Sequence, residues 1–293
     1  MDVSFLEAAG LTLAVVIVFT LLLRGAQKLW RRGRAGPGPA DPKSVINERA
    51  GAAQRLYFAG QLVGLVLLTT SIVHYIVTEE ESWAHDILWC FSFSAVGFAL
   101  YVIAGQLGVR VLLGRHLADE IDSGNTAAGL AGGAHHVAMG LIAGATCAGT
   151  DLFGLSLASA FFVVAVILQQ GVAALFRAMT AYDDAEQIAG ENMAAAISWG
   201  GTSIAAAIVI ARAAEGEAAT LAIAIEGFFE VAVLALLLLP VRQILVGGLL
   251  FGRMPKLRGG PLDDAVGLQH DTATAALDAA IAIGTAIALA RLA

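Results

Sequence analysis

Residues 120–140 read EIDSGNTAAGLAGGAHHVAMG, and this plan of one polar residue followed by small residues recurs along the chain. The later copies are EQIAGENMAAAISWGGTSIAAA (186–207) and VGLQHDTATAALDAAIAIGT (266–285). The polar residues are Asn125, Asn192 and Asp271, and a weaker copy at 51–64 has Gly51 in their place. Asn and Asp are good helix N-caps. Each copy therefore predicts the start of a helix whose small residues let neighbouring helices approach closely.

Eight apolar runs follow one another along the 293 residues, of which 58% are hydrophobic and only 14% charged. A soluble domain carries roughly 25% charged residues, and a transmembrane helix needs about 20 apolar residues. The sequence therefore predicts an all-α integral membrane protein of eight transmembrane helices. The runs lie at 5–24, 52–77, 87–109, 126–150, 152–176, 193–213, 218–241 and 272–291.

Two connections have a distinctive composition. The runs 126–150 and 152–176 are joined only by Gly149-Thr150-Asp151, which predicts a tight hairpin because one continuous span would far exceed the bilayer. Residues 25–50 form a basic linker, and three prolines within 25–46 argue against a continuous helix there. We expect its basic cluster to lie against anionic lipid and not to bind nucleic acid.

The basic residues predict an orientation. Fifteen of the 17 Lys and Arg residues fall in the odd-numbered connections or at their edges, Arg242 among them. Since basic loops stay in the cytoplasm, both termini are expected outside. The odd-numbered helices then all run inward, so the chain is predicted to consist of four parallel helix pairs. These pairs form two four-helix units, residues 1–150 and 151–293.

The motifs Asn125-Thr126-Ala127-Ala128-Gly129 and Asn192-Met193-Ala194-Ala195-Ala196 carry a family resemblance. They resemble the N-x-A-A motif of the bacterial YjfL-like family, domain of unknown function family 350. The resemblance implies two tandem four-helix units in the bacterial cytoplasmic (inner) membrane, with roles in envelope stress or ion transport suspected at family level. Gly51 and Asp271 depart from the motif.

Three carboxylates lie well inside predicted transmembrane helices, away from their ends, where an ionised group is costly. Glu226 and Glu230 share one face of the seventh helix, and Asp278 lies in the eighth, about 10 Å above Asp271. If the two helices are adjacent, these side chains line one polar track. Carboxylates this close share protons, which is typical of proton-coupled carriers and cation sites. The alternative is that they are neutral and hydrogen-bonded across the bundle.

His135 and His136 lie midway along the fourth helix and point about 100° apart. Structural hydrogen bonding and pairing with a carboxylate of the other unit are both open for them. Asn125, Asn192 and Asp271 are likewise either plain caps or functional residues. The chain has no H-E-x-x-H, P-loop or G-x-S-x-G motif. We therefore expect no catalytic residues, no metal site, no cofactor and no enzyme activity.

Three functions are consistent with these features. The first is a small-cation or proton channel or transporter that uses the buried carboxylates. The second is an envelope-stress scaffold that recruits a cytoplasmic partner through the acidic runs 119–122 and 183–186. The third is a polyamine- or lipid-handling membrane protein. The small-residue helix faces also favour a homodimer.

Overall fold

The computed structural model describes residues 3–34, 45–77, 82–112, 117–147, 149–215, 221–254, 256 and 258–293, and all secondary structure within them is helical. The helices are α1 (Val3–Arg34), α2 (Val45–Ile76), α3 (Trp83–Leu112), α4 (Leu117–Ser123), α5 (Thr126–Thr146), α6 (Leu152–Met179), α7 (Asp184–Ala189), α8 (Met193–Ala214), α9 (Leu221–Ala232), α10 (Leu238–Arg242), α11 (Pro261–Asp263) and α12 (Thr272–Leu292). A 3-10 segment, Val233–Leu237, joins α9 to α10. Two π-helical segments, Gln243–Leu250 and Asp264–Leu268, follow α10 and α11.

Seven helices in the described part of the chain are long and apolar enough to cross a membrane. This confirms an all-α, multi-pass membrane protein. The predicted span 126–150 corresponds to α5, which has 21 residues but is not among the seven. Its two histidines and its glycines lower its mean hydropathy. The seven are Ala8–Ala26, Gly51–Ile76, Trp83–Val111, Leu152–Met179, Met193–Ala214, Ala222–Gly248 and Thr272–Leu292.

The connections differ partly from the prediction. The hairpin between α5 and α6 is present: Gly149 reverses the chain with a φ of +136°, and the Asp151 side chain caps α6 by accepting the N–H of Gly154. The predicted linker 25–50 is helical at both ends, because α1 continues to Arg34 and α2 begins at Val45. Residues 35–44, which contain the three prolines, lie outside the described residues. Gly51 therefore lies within α2 and does not start it.

Four helices form the inner row of the bundle, in the order α2, α5, α8, α12. Each contacts the next in the row, while α1, α3, α6 and α9 pack outside them. The two middle helices, α5 and α8, are the most deeply buried, with 16 buried residues each. Since α2 and α12 form no comparable interface among the described residues, the row has two open ends.

The same close helix contact occurs once in each half of the chain. Gly60 of α2 lies against Gly133 of α5, and a Cβ added to Gly60 would overlap the Gly133 backbone. Gly201 of α8 stands in the same relation to Ala279 of α12. Small residues permit this approach of two backbones. The pair α8–α12 therefore repeats the pair α2–α5.

The spacing within the motifs fixes which residues correspond. Gly60 and Gly201 each lie nine positions after the motif position of their helix, and Gly133 and Ala279 each lie eight positions after theirs. We call residues at equal distance from the motif position counterparts. Counterparts let the chemistry of the two halves be compared position by position.

Candidate functional site

Arg242 and Asp278 form a buried ion pair inside the second half of the bundle, with 3% and 0% of their surfaces exposed. The guanidinium donates from Nε to Oδ1 and from Nη2 to Oδ2 at 2.8 Å. Ser198 of α8 donates to Oδ2 at 2.6 Å and accepts from Nη2 of Arg242 at 3.1 Å. The guanidinium lies 4.5 Å from the ring centroid of Phe176. A bidentate pair of this kind compensates both buried charges.

An interrupted helix places Arg242 at this site. Pro240 has no N–H, and its ring excludes the carbonyl of residue 236 from an α-helical position. The backbone is 3-10 before this point and π-helical after Arg242. Such irregular turns are frequent at functional sites. The residues QILVGGLL at 243–250, all apolar except Gln243, continue the helix beyond the arginine.

The prediction that Arg242 marks the cytoplasmic end of its helix was therefore wrong in detail. Its side chain is buried and neutralised by Asp278. The signal available in the sequence was the apolar stretch ILVGGLL at 244–250, which follows soon after Arg242. The polar role of Ser198 was not predicted either, because a serine in a helix of small residues is typical of close helix packing.

Two further carboxyl groups lie close enough to Arg242 to interact with it electrostatically. Burial raises the pKa of Asp184 to about 7, against the opposing effect of the Arg177 charge. Its Oδ2 accepts from Thr180 at 3.3 Å. Burial also raises the pKa of Asp263, whose Oδ2 accepts the N–H groups of Ala181 and Gly259 at 2.8 Å. In the described structure, Oδ1 of each aspartate is buried without a hydrogen bond.

His136 belongs to a polar network in the first half. Its Nε2 lies 2.9 Å from the Tyr57 hydroxyl and 3.2 Å from Nε2 of Gln61. Gln106 donates to the Tyr57 hydroxyl at 2.7 Å, and Tyr101 donates to the carbonyl of Gln61 at 2.8 Å. The network joins α2, α3 and α5. His136 thus meets hydroxyl and amide groups here.

His135 points towards the second half. Its ring centroid lies 6.1 Å from that of Trp199 on α8, and Gly108 of α3 leaves room for both this ring and the amide of Gln170. Gln170 donates to Gln169 at 3.0 Å. Among the described residues, the ring nitrogens of His135 and the indole nitrogen of Trp199 are buried without a hydrogen bond in ordinary geometry. Polar groups of this kind mark a place where water or a transferred proton can be accommodated.

At the positions of Ser198 and Asp278, the first half has residues of different size and charge. Tyr57 is the counterpart of Ser198, and Gly132 is the counterpart of Asp278. In the first half the Tyr57 ring lies over Gly132, and in the second half the small Ser198 leaves room for the Asp278 carboxylate. One backbone arrangement therefore holds a Tyr–His network in one half and an ion pair in the other.

Glu226 and Glu230 do not reach this site. Both side chains are exposed on the outer surface of α9, whereas Asp278 is fully buried. The predicted polar track of three carboxylates was therefore wrong. Their four-residue spacing puts the two glutamates on one helix face, as expected, but that face points away from α12. The Asp278 carboxylate is paired with Arg242 instead.

The three polar motif residues cap helices. Asn125 accepts from Ala128 N–H, Asn192 from the N–H groups of Ala194 and Ala195, and Asp271 from those of Ala273 and Thr274. The two asparagines also bind across the bundle. Asn125 donates to the carbonyl of Ile188 at 2.8 Å, and Asn192 donates to that of Val266 at 2.8 Å. Each amide thus fixes the turn that precedes the next helix of the row.

Two residues of the acidic runs make local contacts. Asp183 caps α7 and binds Arg177 at 3.1 Å, and Asp122 accepts from Gln54 at 3.0 Å. Within the described ranges, no group of three His, Cys, Asp or Glu side chains is arranged to hold a metal ion. Cys90 and Cys147 are free and buried.

Comparisons with known proteins agree with the repeated architecture. Neither the curated proteins nor the solved structures gave a match. A family model, Domain of Unknown Function (DUF350), matches residues 3–147 and again residues 151–292. These two matches take in both halves of the inner row. The chain therefore belongs to the DUF350 family and contains two tandem copies of its domain.

Proposed function

We propose that the protein is an eight-span bundle of the bacterial inner membrane, with α5 as the eighth span and both termini outside. α5 has the same 21-residue length as its repeat partner α12, which is apolar enough to span. A C-terminal epitope tag tests the orientation. Antibody should reach it in intact spheroplasts, and access only after lysis would contradict the assignment.

We further propose that the bundle moves protons, with the Arg242–Asp278 pair as its switch. The observation that supports this proposal most is the burial of the pair in a transmembrane bundle, where ionisable residues mark ion or proton pathways by default. Arg242 already neutralises Asp278, so a metal cation bound there would lack a compensating charge. A proton differs, because it can neutralise the carboxylate itself.

Protonation of Asp278 leaves Arg242 without its partner. Asp184 and Asp263 supply an alternative, since both interact electrostatically with Arg242 and each has a buried oxygen without a hydrogen bond in the described structure. We infer that the guanidinium turns towards one of these carboxylates as the proton arrives. A buried guanidinium that pairs either with Asp278 or with another carboxylate has the two states that a switch requires.

The polar side chains of the middle helices extend from this pair towards the first half. Ser198 and Trp199 follow the ion pair on α8, His135 faces Trp199, and His136 continues into the Tyr57 network. Carboxylate and imidazole side chains form the proton relays of pumps and transporters, and His135 and His136 are the imidazoles available here. This series of polar side chains lies between the two repeats.

Purified protein in liposomes containing a pH-sensitive dye tests the proposal. Under an imposed pH gradient, the wild type should collapse the gradient faster than empty liposomes. Asp278→Asn should lose this activity. Glu230→Gln is the matched control, because its side chain points outward, and it should keep the activity. Equal rates in the wild type, Asp278→Asn and empty liposomes would refute a proton pathway through this pair.

The exposed carboxylates of the acidic runs favour a second candidate, an envelope-stress scaffold. Asp119, Asp122, Asp183 and Glu186 are exposed at the same end of the bundle, whereas Asp184 is buried and cannot contact a partner. Replacement of the four exposed acids by serine should abolish co-purification of a cytoplasmic partner. Unchanged co-purified proteins would count against this role.

A further inference from the structure

The two open ends of the inner row expose residues whose counterparts are buried in the middle of the row. On α2 the exposed residues are Arg55, Ala59, Val66 and Thr70, and their counterparts on α8 are Ala196, Gly200, Ala207 and Ala211, all buried. On α12 the exposed residues are Ala273, Leu277, Gly284 and Ala288, and their counterparts on α5 are Ala127, Ala131, Ala138 and Ile142, all buried. Each end helix thus presents the face that its counterpart uses inside the chain.

One contact between α5 and α8 shows how such faces pack against each other. Gly200 of α8 meets Ala134 of α5, and a Cβ added to Gly200 would lie 2.8 Å from the Cβ of Ala134. The counterpart of Gly200 is Ala59, and the counterpart of Ala134 is Ala280. Both counterparts are exposed, at opposite ends of the row. They cannot meet within one chain, because α2 and α12 form no comparable interface in the described structure.

We propose that a second copy of the chain covers these faces, with α12 of each copy packed on α2 of the other. The contact repeats the α5–α8 junction between copies, so Ala280 of one chain meets Ala59 of its partner. Two such junctions close a two-fold dimer whose inner ring contains eight helices. The assembly does not depend on proton movement.

Side-chain size and charge support this pairing. Small residues at helix spacing drive association in membranes, where apolar surface alone gives no preference for protein over lipid. The exposed stripe of α12 contains Ala273, Ala280, Gly284 and Ala288. Arg55 is exposed near the motif position of α2, and the Asp271 carboxylate starts α12. The two faces therefore bring opposite charges to the same end of the bundle.

Disulfide formation between two differently tagged chains tests the contact. One chain carries Ala59→Cys and the other Ala280→Cys, and the two are co-expressed and oxidised in membranes. Native Cys90 and Cys147 are buried, and a wild-type pair measures their background. Ile225→Cys, exposed on α9, replaces Ala280→Cys in the matched control.

The mixed pair should give a cross-linked species with both tags, and the Ile225 control should give none. Cross-links only between two Ala280→Cys chains, or only between two Ala59→Cys chains, would overturn the proposed pairing. Light scattering in detergent supplies a second measurement. The wild type should have the protein mass of two chains, and Ala280→Trp should have that of one while keeping its helical circular dichroism. A wild type with the mass of one chain would also overturn the proposal.

Discussion

Arg242 donates hydrogen bonds to both carboxylate oxygens of Asp278, which lies 36 residues further along the chain. Asp278→Leu alone leaves a buried guanidinium without its counter-charge. We expect it to lower the free energy of unfolding by about 3–5 kcal/mol. Thermal unfolding in detergent, followed by circular dichroism, measures the change.

The double variant Arg242→Met/Asp278→Leu separates stability from function. Removing both charges together removes the uncompensated one, so the unfolding temperature should return close to that of the wild type. Proton flux in liposomes should remain absent. A double variant that is stable and still conducts would limit the ion pair to a structural role.

The two histidines should respond differently to substitution. His136→Phe removes partners from Tyr57 and Gln61, which should cost about 1–3 kcal/mol of stability. His135→Phe loses only the weaker interaction with the backbone of Ala104 and should cost less stability than His136→Phe. It should nevertheless slow proton flux. Equal unfolding temperatures for both variants would contradict the network assigned to His136.

Asp184 predicts a pH dependence of stability with a definite sign. Burial raises its pKa to about 7 in the folded protein, while an unfolded aspartate titrates at about 4. Between these values the folded state binds more protons than the unfolded state, so stability falls as pH rises from about 4 to about 7. Asp184→Asn should reduce this slope in unfolding temperatures measured across that range. Glu191→Gln, which changes an exposed carboxylate at the same end of the bundle, is the control.

The close approach of α2 and α5 should not tolerate a larger residue. A Cβ at Gly60 overlaps the backbone of Gly133, so Gly60→Val forces the helices apart and should cost about 1–3 kcal/mol or more. Gly171→Val is the matched control, because a Cβ there meets nothing within 4 Å. Similar unfolding temperatures for the two variants would exclude this contact.

Asn192 is expected to need its amide and not only its capping oxygen. Asn192→Asp keeps the acceptor for the helix N–H groups but loses the donor to the carbonyl of Val266. We expect a loss of about 1–3 kcal/mol, because a buried carbonyl is left unpaired. Asp271→Asn, at a cap without such a cross-bundle bond, should change the unfolding temperature little. The comparison distinguishes plain capping from the connection between helices.

Local patterns predicted much of this architecture. Hydropathy located the spans, the polar motif residues located the starts of α5, α8 and α12, and the motif spacing revealed the repeat. These features depend on residues close in sequence. The end of α1 was harder to predict, since the prolines that were expected to break the helix lie beyond Arg34.

The Arg242–Asp278 site could not be predicted from residue spacing, because it depends on how the helices are rotated and packed. Glu226, Glu230 and Asp278 all lie far from the ends of their predicted spans, which suggests burial. Which of them meets a partner depends on the direction in which its helix face points. Arg242 was assigned to the aqueous edge because basic residues usually lie there. Only the packing of α10 against α12 brings it to Asp278.

The exchange of Tyr57 and Gly132 for Ser198 and Asp278 has a consequence for how such a protein can vary. Two identical copies of either half would carry two ion pairs or none. Fusion into one polypeptide fixes the ratio at one charged and one uncharged half, whatever the expression level. Substitutions in one half are thereby freed from having to suit the other, and a single gene encodes an asymmetry that separate identical subunits cannot maintain.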